Sequence, residues 1–171
     1  MKSNNSGFTL LEVLIYIAII AVVTSAIGAV FLSVANGQAR ADSAAEVNSN
    51  ISFVLDKVGR DIAAANTINQ PAAAGNSSAT LALTIGATPI NYCVVSGRLY
   101  RGSGGICNEN SEPLTGQTVT VKSLTFTRLE NINTILPKTV VSIQTVLSIS
   151  YNSSNPSSQY SATKQLTSSL P

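Results

Sequence analysis

Residues 13–35 form an uncharged apolar run, which only four polar side chains interrupt: Tyr16, Thr24, Ser25 and Ser33. An α-helix needs about 20 such residues to cross the hydrocarbon core of a bilayer. The core helices of soluble proteins are rarely apolar on every face for so long. A cleavable secretory signal has a shorter apolar segment and a small-residue cleavage site after it, which this run lacks. We therefore expect a transmembrane helix that the mature protein retains.

The helical pattern continues beyond residue 35 but becomes one-sided. Apolar side chains recur there at steps of three and four, as they do on one face of a helix: Val47, Ile51, Val54, Leu55, Val58 and Ile62. Polar side chains lie between them, and no proline precedes Pro71. The pattern predicts one nearly continuous helix from about residue 9 to residue 66. Its second half carries an apolar stripe that another element must cover.

The rest of the chain has the composition of β-strands. Residues 69–78 are rich in alanine, asparagine, glycine, proline and serine, which predicts a loop. Runs of β-branched residues then predict strands at residues 80–85, 90–95, 98–100, 119–129 and 139–151, with a weaker one at 160–166. The strand at 139–151 alternates apolar and polar side chains, so one face of the sheet must be buried.

The apolar stripe of the helix and the apolar face of the sheet are both covered if the two elements pack on each other. About 135 residues lie outside the lipid-length run, enough for one small core. We therefore predict an α+β fold. In it a long N-terminal helix, transmembrane in its first half, packs against a C-terminal antiparallel β-sheet.

Composition excludes several classes of function. The chain has 171 residues, of which 44% are hydrophobic and 11% charged, so it is not intrinsically disordered. A formal net charge of +2 is too small for an electrostatic nucleic-acid binder. There is no histidine, the usual general base and commonest metal ligand, and two cysteines alone cannot fill a zinc site. We expect no catalytic residues, no metal site, no nucleic-acid partner and no enzymatic activity.

One charge contradicts its apolar surroundings. Glu12 lies at the start of the apolar run, where a carboxylate costs roughly 2.5–3.5 kcal/mol on insertion scales. Such a charge indicates a functional site, and it requires a cationic partner. No lysine or arginine of the helix is within its reach. The nearest cation would be the new α-amino group formed by a cut between Gly7 and Phe8, in the same chain or in a neighbouring subunit.

The segment GFTLLEV at residues 7–13, followed by the apolar helix, resembles the class III signal of type IV pilins and their relatives. The resemblance implies that a membrane prepilin peptidase cuts after Gly7 and N-methylates Phe8. Glu12 would then neutralise the amino terminus of an adjacent subunit as the helices bundle into a filament. The fold implied is a long helix, half in the membrane, wrapped by a C-terminal antiparallel sheet.

The resemblance also implies how the chain is divided and where it resides. Residues 1–7 would be the leader peptide and residues 8–35 the transmembrane and assembly half of the helix. Residues 36–171 would be a globular domain, helical to about residue 66 and β-sheet from about residue 80. The protein would cross the bacterial inner membrane once, with this domain periplasmic or extracellular. Its partners would be other pilins or pseudopilins, the prepilin peptidase and the inner-membrane assembly platform.

Two short segments are similar to the J class of type II secretion minor pseudopilins and the W class of type IV minor pilins. They are LDKVGRDI at residues 55–62 and YCVVSGRLYR at residues 92–101. The helix also lacks the mid-membrane proline of many major pilins, and Gly28 lies close to that place. We therefore expect a minor pilin or pseudopilin. A tip-located adhesin or DNA-uptake pilin is the alternative, and Arg60 and Asp61 have an alternative reading as solvated charges at a helix end.

Cys93 and Cys107 lie in the part that would be exported, where disulfides persist. The glycines between them let the chain fold back, and closing a loop of this size is worth roughly 3 kcal/mol. We expect a disulfide, with two free thiols as the alternative.

Residues 108–112, NENSE, are rich in oxygen ligands of the kind that calcium binds. Some pilin relatives bind calcium in loops, but this run lacks a regular aspartate spacing. We therefore expect a solvated loop and no cofactor, with calcium binding as the alternative.

Overall fold

A computed structural model describes residues 9–133 and 138–171, with the backbone alone at Asn133 and Lys138. The chain divides into two compact units, Met1–Ala39 and Arg40–Pro171. The elements in chain order are α1 (Leu10–Ala63), β1 (Thr67–Gln70), β2 (Ser77–Ser78), β3 (Leu81–Ile85), β4 (Thr88–Val95), β5 (Arg98–Ser103), β6 (Glu112–Pro113), β7 (Val119–Asn133), β8 (Lys138–Tyr151), the single 3-10 turn Pro156–Ser158 and β9 (Ser161–Ser169).

In the first unit, the described residues form the start of α1, and their apolar side chains are exposed. From Leu10 to Val34 every large apolar side chain is at least 46% exposed, so nothing in this part of the chain covers them. Among the described residues, α1 is the one helix long and apolar enough to cross a membrane. The predicted long N-terminal helix is confirmed.

The second unit holds the rest of α1 and two antiparallel sheets. Sheet A has the strand order β1-β3-β4-β5-β6, and sheet B has the order β2-β7-β8-β9. The longest pairing joins β7 to β8, from Val119 opposite Tyr151 to Asn133 opposite Lys138. The α+β prediction of a helix packed on antiparallel strands is confirmed, but the strands form two sheets rather than one.

The core of this unit lies between the apolar stripe of α1 and the inner faces of both sheets. Val47, Ile51, Val54, Val58 and Ile62 are fully buried, as their spacing predicts. They belong to one cluster with residues of both sheets, including Leu81, Leu83, Tyr92, Leu99, Phe126, Ile143, Leu147 and Ile149. Burying each such side chain contributes roughly 1.5–3 kcal/mol, so the stripe fixes this part of the helix on the sheets.

Two predicted boundaries are wrong. The helix ends at Ala63 rather than near residue 66, because Asn66 bonds across to the β3–β4 hairpin: its N–H donates to Thr84 O (2.8 Å) and its Oδ1 accepts from Gly86 N (2.5 Å). The sheet does not begin near residue 80. It begins at Thr67, and the predicted loop at 69–78 contains the end of β1 and all of β2.

Candidate functional site

The first turn of α1 is capped by Thr9. Its Oγ1 accepts from Glu12 N (3.3 Å), and its carbonyl accepts from Glu12 N (3.1 Å) and Val13 N (3.3 Å). Thr9 is thus the N-cap, and Glu12 is the third residue of the helix, the Thr-x-x-Glu arrangement of a capping box. Glu12 stands out from the sequence as a charge beside an apolar run, whereas Thr9 is recognised only by its spacing of three residues before Glu12.

This position lowers the cost of the Glu12 charge. The first-turn N–H groups have no carbonyl partner in the helix, and the helix dipole favours a negative charge there by about 0.3–1 kcal/mol. That offsets only part of the roughly 2.5–3.5 kcal/mol that an apolar environment costs. The side chain is half-buried and has no ion pair within the described residues. Gly7 and Phe8 lie outside those residues, so the pairing of Glu12 with a new amino group stays a prediction.

Two of the polar side chains further along the apolar run, Thr24 and Ser25, are bonded to the helix itself. Thr24 Oγ1 donates to Ile20 O (2.6 Å), and Ser25 Oγ donates to Val22 O (2.8 Å). A hydroxyl bonded in this way brings no unsatisfied donor into an apolar environment. After Glu12, this half of the helix is therefore suited to lipid or to the apolar faces of other helices.

A buried ion pair joins the end of α1 to sheet A. Asp61 is 7% exposed, and its Oδ2 accepts from Tyr92 Oη on β4 (2.7 Å) and from Arg101 Nε on β5 (2.6 Å). Its neighbour Arg60 is exposed and, within the part of the chain that the structure describes, forms an ion pair with Asp56 alone, on the helix surface (2.8 Å). The alternative of a solvated helix-end charge therefore holds for Arg60 and is wrong for Asp61. The two segments that resemble the J and W classes meet at this contact.

The contact with Asp61 raises the pKa of both of its partners. Burial raises the pKa of Tyr92 above its usual 10.0, and the hydrogen bond to Asp61 raises it further, so the phenol stays a neutral donor. Burial lowers the pKa of Arg101, but the hydrogen bond and the charge of Asp61 more than offset this, and the net pKa is raised. Tyr92 and Arg101 therefore both keep their protons at neutral pH.

The predicted disulfide is confirmed. Cys93 on β4 is bonded to Cys107, which follows β5, with the Cα atoms 6.1 Å apart. The chain between them folds back at Gly104 and Gly105, where φ is +74° and +86°. At Gly102 a Cβ would collide with the backbone of Ile106, so the loop passes over β5 only because this residue is glycine.

The oxygen-rich loop after the disulfide bonds to the protein. Glu109 Oε1 accepts from Ser96 Oγ (2.8 Å), and Asn108 Oδ1 accepts from Asn110 N (3.0 Å). Glu112 lies 3.5 Å from Arg101 Nη1. Across residues 9–133 and 138–171, no three His, Cys, Asp or Glu side chains gather into a group that could hold a metal ion. The expectation of a solvated loop without a cofactor, with calcium as its alternative, stays a prediction.

Comparison with known proteins identifies the N-terminal segment. The family model described as the prokaryotic N-terminal methylation motif matches residues 2–28. No curated protein and no solved structure matches the chain significantly. The matched residues include Thr9 and Glu12 but not the segments at 55–62 and 92–101, so the J or W class stays a prediction. The matched motif is one that marks type IV pilins and pseudopilins, and in this chain an exposed apolar helix and a disulfide-bonded α+β domain follow it.

Proposed function

We propose that the protein is a minor pilin or pseudopilin, which helps to build or initiate a type IV pilus-like or type II secretion filament. The family consists of structural subunits that assemble with one another after processing by a prepilin peptidase. In this chain the cut falls between Gly7 and Phe8. The precursor spans the bacterial inner membrane once, with its globular domain periplasmic or extracellular, and an inner-membrane assembly platform moves it into the filament.

The observation that carries this proposal is a long exposed apolar helix with one carboxylate at its start. Nothing in the described chain covers the side chains from Leu10 to Val34, so lipid must cover them before assembly and other helices afterwards. Glu12 needs a cation in both environments. An amino group at residue 8 lies four residues before Glu12 in the sequence, and one turn of a helix holds about 3.6 residues. A neighbouring helix displaced by about one turn therefore brings its amine to this carboxylate and fixes the register between subunits.

Removing the Glu12 charge tests the proposal. Glu12→Gln keeps the shape of the side chain and, in the proposal, removes the charge match. The protein should still insert into the membrane but fail to enter filaments, measured by membrane fractionation and by immunoblotting of sheared filaments. Asp56→Asn is the matched control, because it removes an exposed helix carboxylate whose partner in the structure is Arg60. Normal assembly of Glu12→Gln would contradict the proposal, and absence of the wild-type protein from filaments would favour a membrane-tethered domain that never polymerises.

The alternative of a tip-located adhesin or DNA-uptake pilin has a different deletion phenotype. Deleting an initiating subunit removes or strongly reduces filaments. Deleting a ligand-binding tip subunit leaves filaments present but unable to bind. Counting filaments in the deletion strain by electron microscopy distinguishes the two roles.

A further inference from the structure

A polar groove of about 490 Å³ lies at one end of sheet B. It is formed where β7 begins and β8 ends, beside the chain that leads from β8 into β9. Thr120 and Lys122 of β7 form one wall, and Asn152, Gln159 and Ser161 belong to the segment on the other side. Its volume is within the roughly 300–1,000 Å³ of small-molecule sites.

The wall made by the β8–β9 connection is held in place by backbone hydrogen bonds. Tyr151 N donates to Tyr160 O (2.8 Å), and Asn152 N donates to Thr118 O (2.8 Å). Between these anchors the chain forms the 3-10 turn Pro156–Ser158. A wall fixed in this way does not have to be ordered when a ligand binds, which removes part of the entropic cost of binding.

The groove lining is polar, and the one charged side chain among its residues is positive. The groove is lined by hydroxyl, amide and phenol groups and by the ammonium of Lys122, and no carboxylate is among its lining residues. Within the described residues, the side chains of Lys122, Asn152, Gln159 and Ser161 make no hydrogen bond or ion pair. These four groups are available to a ligand.

We propose that this groove binds an acidic oligosaccharide. Sugar hydroxyls both donate and accept, as do the amides of Asn152 and Gln159 and the hydroxyl of Ser161. A carboxylate on the sugar pairs with Lys122 in a charge-assisted hydrogen bond. An apolar ligand would gain little from this mostly polar lining, and a nucleic acid needs several cations along its phosphates where the groove offers one. The inference is independent of filament assembly through Glu12, and the groove is lined by residues outside the Cys93–Cys107 loop.

The test is binding of a defined sugar to the purified full-length protein in detergent micelles. Trigalacturonic acid is the probe, maltotriose is its neutral comparison, and isothermal titration calorimetry is the readout. We expect saturable binding of the acidic trimer that weakens at about 0.5 M salt, where charges are screened within a few ångströms. Lys122→Met should lower the affinity about tenfold, as loss of a charge-assisted hydrogen bond does. Lys164→Met, which removes an exposed lysine of β9 outside the groove, should leave it unchanged.

Three results would overturn the proposal: no saturable binding of the acidic trimer, equal binding of maltotriose, or equal effects of Lys122→Met and Lys164→Met. Circular dichroism establishes whether each variant is folded. If Lys122→Met does not fold, Gln159→Leu replaces it, and binding unaffected by that change would also contradict the proposal.

Discussion

One carboxylate oxygen of Asp61 holds the end of α1 against sheet A. It accepts from a phenol 31 residues later in the chain and from a guanidinium 40 residues later. The sequence left Asp61 open between this role and that of a solvated charge, because a charged residue in the last turns of a helix has the same local pattern in both cases. Only the long-range pairing with Tyr92 and Arg101 distinguishes them. Glu12 could be identified as a functional residue from the sequence, because the signal is local: it is a charged residue next to an apolar run.

Asp61→Asn should destabilise the globular domain strongly. The change removes the carboxylate that pairs with Nε of Arg101, whose side chain is 18% exposed, and leaves it the exposed Glu112 at 3.5 Å from Nη1. Breaking a buried ion pair in this way costs about 3–5 kcal/mol. Urea unfolding of the full-length protein in detergent measures the loss. Asp56→Asn is the control, because its exposed pair with Arg60 is worth no more than about 0.5 kcal/mol. Equal losses of unfolding free energy in the two variants would refute the role of Asp61.

Tyr92 should make the fold sensitive to alkali. Because its pKa is raised above 10.0, the folded protein holds the phenolic proton more tightly than the unfolded chain does. That stabilisation is complete below about pH 10 and is lost as the pH rises further, since the unfolded chain then releases the proton. The melting temperature should therefore fall more steeply above pH 10 in the wild type than in Tyr92→Phe. Tyr151→Phe should keep the steep fall, and a wild-type slope in Tyr92→Phe would contradict the account.

Among the elements, α1 could be predicted from sequence and the first two strands could not. The stripe from Val47 to Ile62 repeats every three or four residues, and its burial follows from that period alone. Strand β1 is a short polar segment in which Ile68 alone is buried, and β2 is two serines. Each forms a strand because it pairs with another strand. β1 lies opposite Thr84 and Leu83 of β3, and β2 lies opposite Phe126 and Thr127 of β7. The local sequence of a strand does not indicate which distant strand it pairs with.

Gly102 should be essential to the disulfide-closed loop. Gly102→Ala places a methyl group against the backbone of Ile106 and Cys107, and backbone cannot move aside as a flexible side chain can. We expect a loss of stability of about 1–3 kcal/mol, as for other overpacked sites, measured by thermal unfolding under non-reducing conditions. Gly37→Ala is the control, because nothing lies within 4 Å of its added Cβ. If Gly102→Ala left the stability unchanged, the loop could pass over β5 without a glycine at this position, which would contradict the prediction.

For the whole molecule, the sequence established the class of fold but not its division into two sheets. The alternation in residues 139–151 predicts one buried face, and that face is buried against α1. Which strands pair with which is a long-range property: β1, β3, β4, β5 and β6 form one sheet, and β2 joins β7, β8 and β9 in the other. The disulfide was predictable because Cys93 and Cys107 are the chain's two cysteines. The ligand groove was not, because its residues come from three segments.

The central claim is that a proteolytic cut supplies the amine that Glu12 requires. Intact-mass spectrometry of the protein extracted from membranes of cells with an active prepilin peptidase tests it most directly. The account predicts a chain that begins at Phe8 and carries one methyl group on its amino terminus, and Gly7→Leu should abolish the cut. A wild-type chain that still begins at Met1, in cells where other prepilins are processed, would leave Glu12 without its partner and contradict the account.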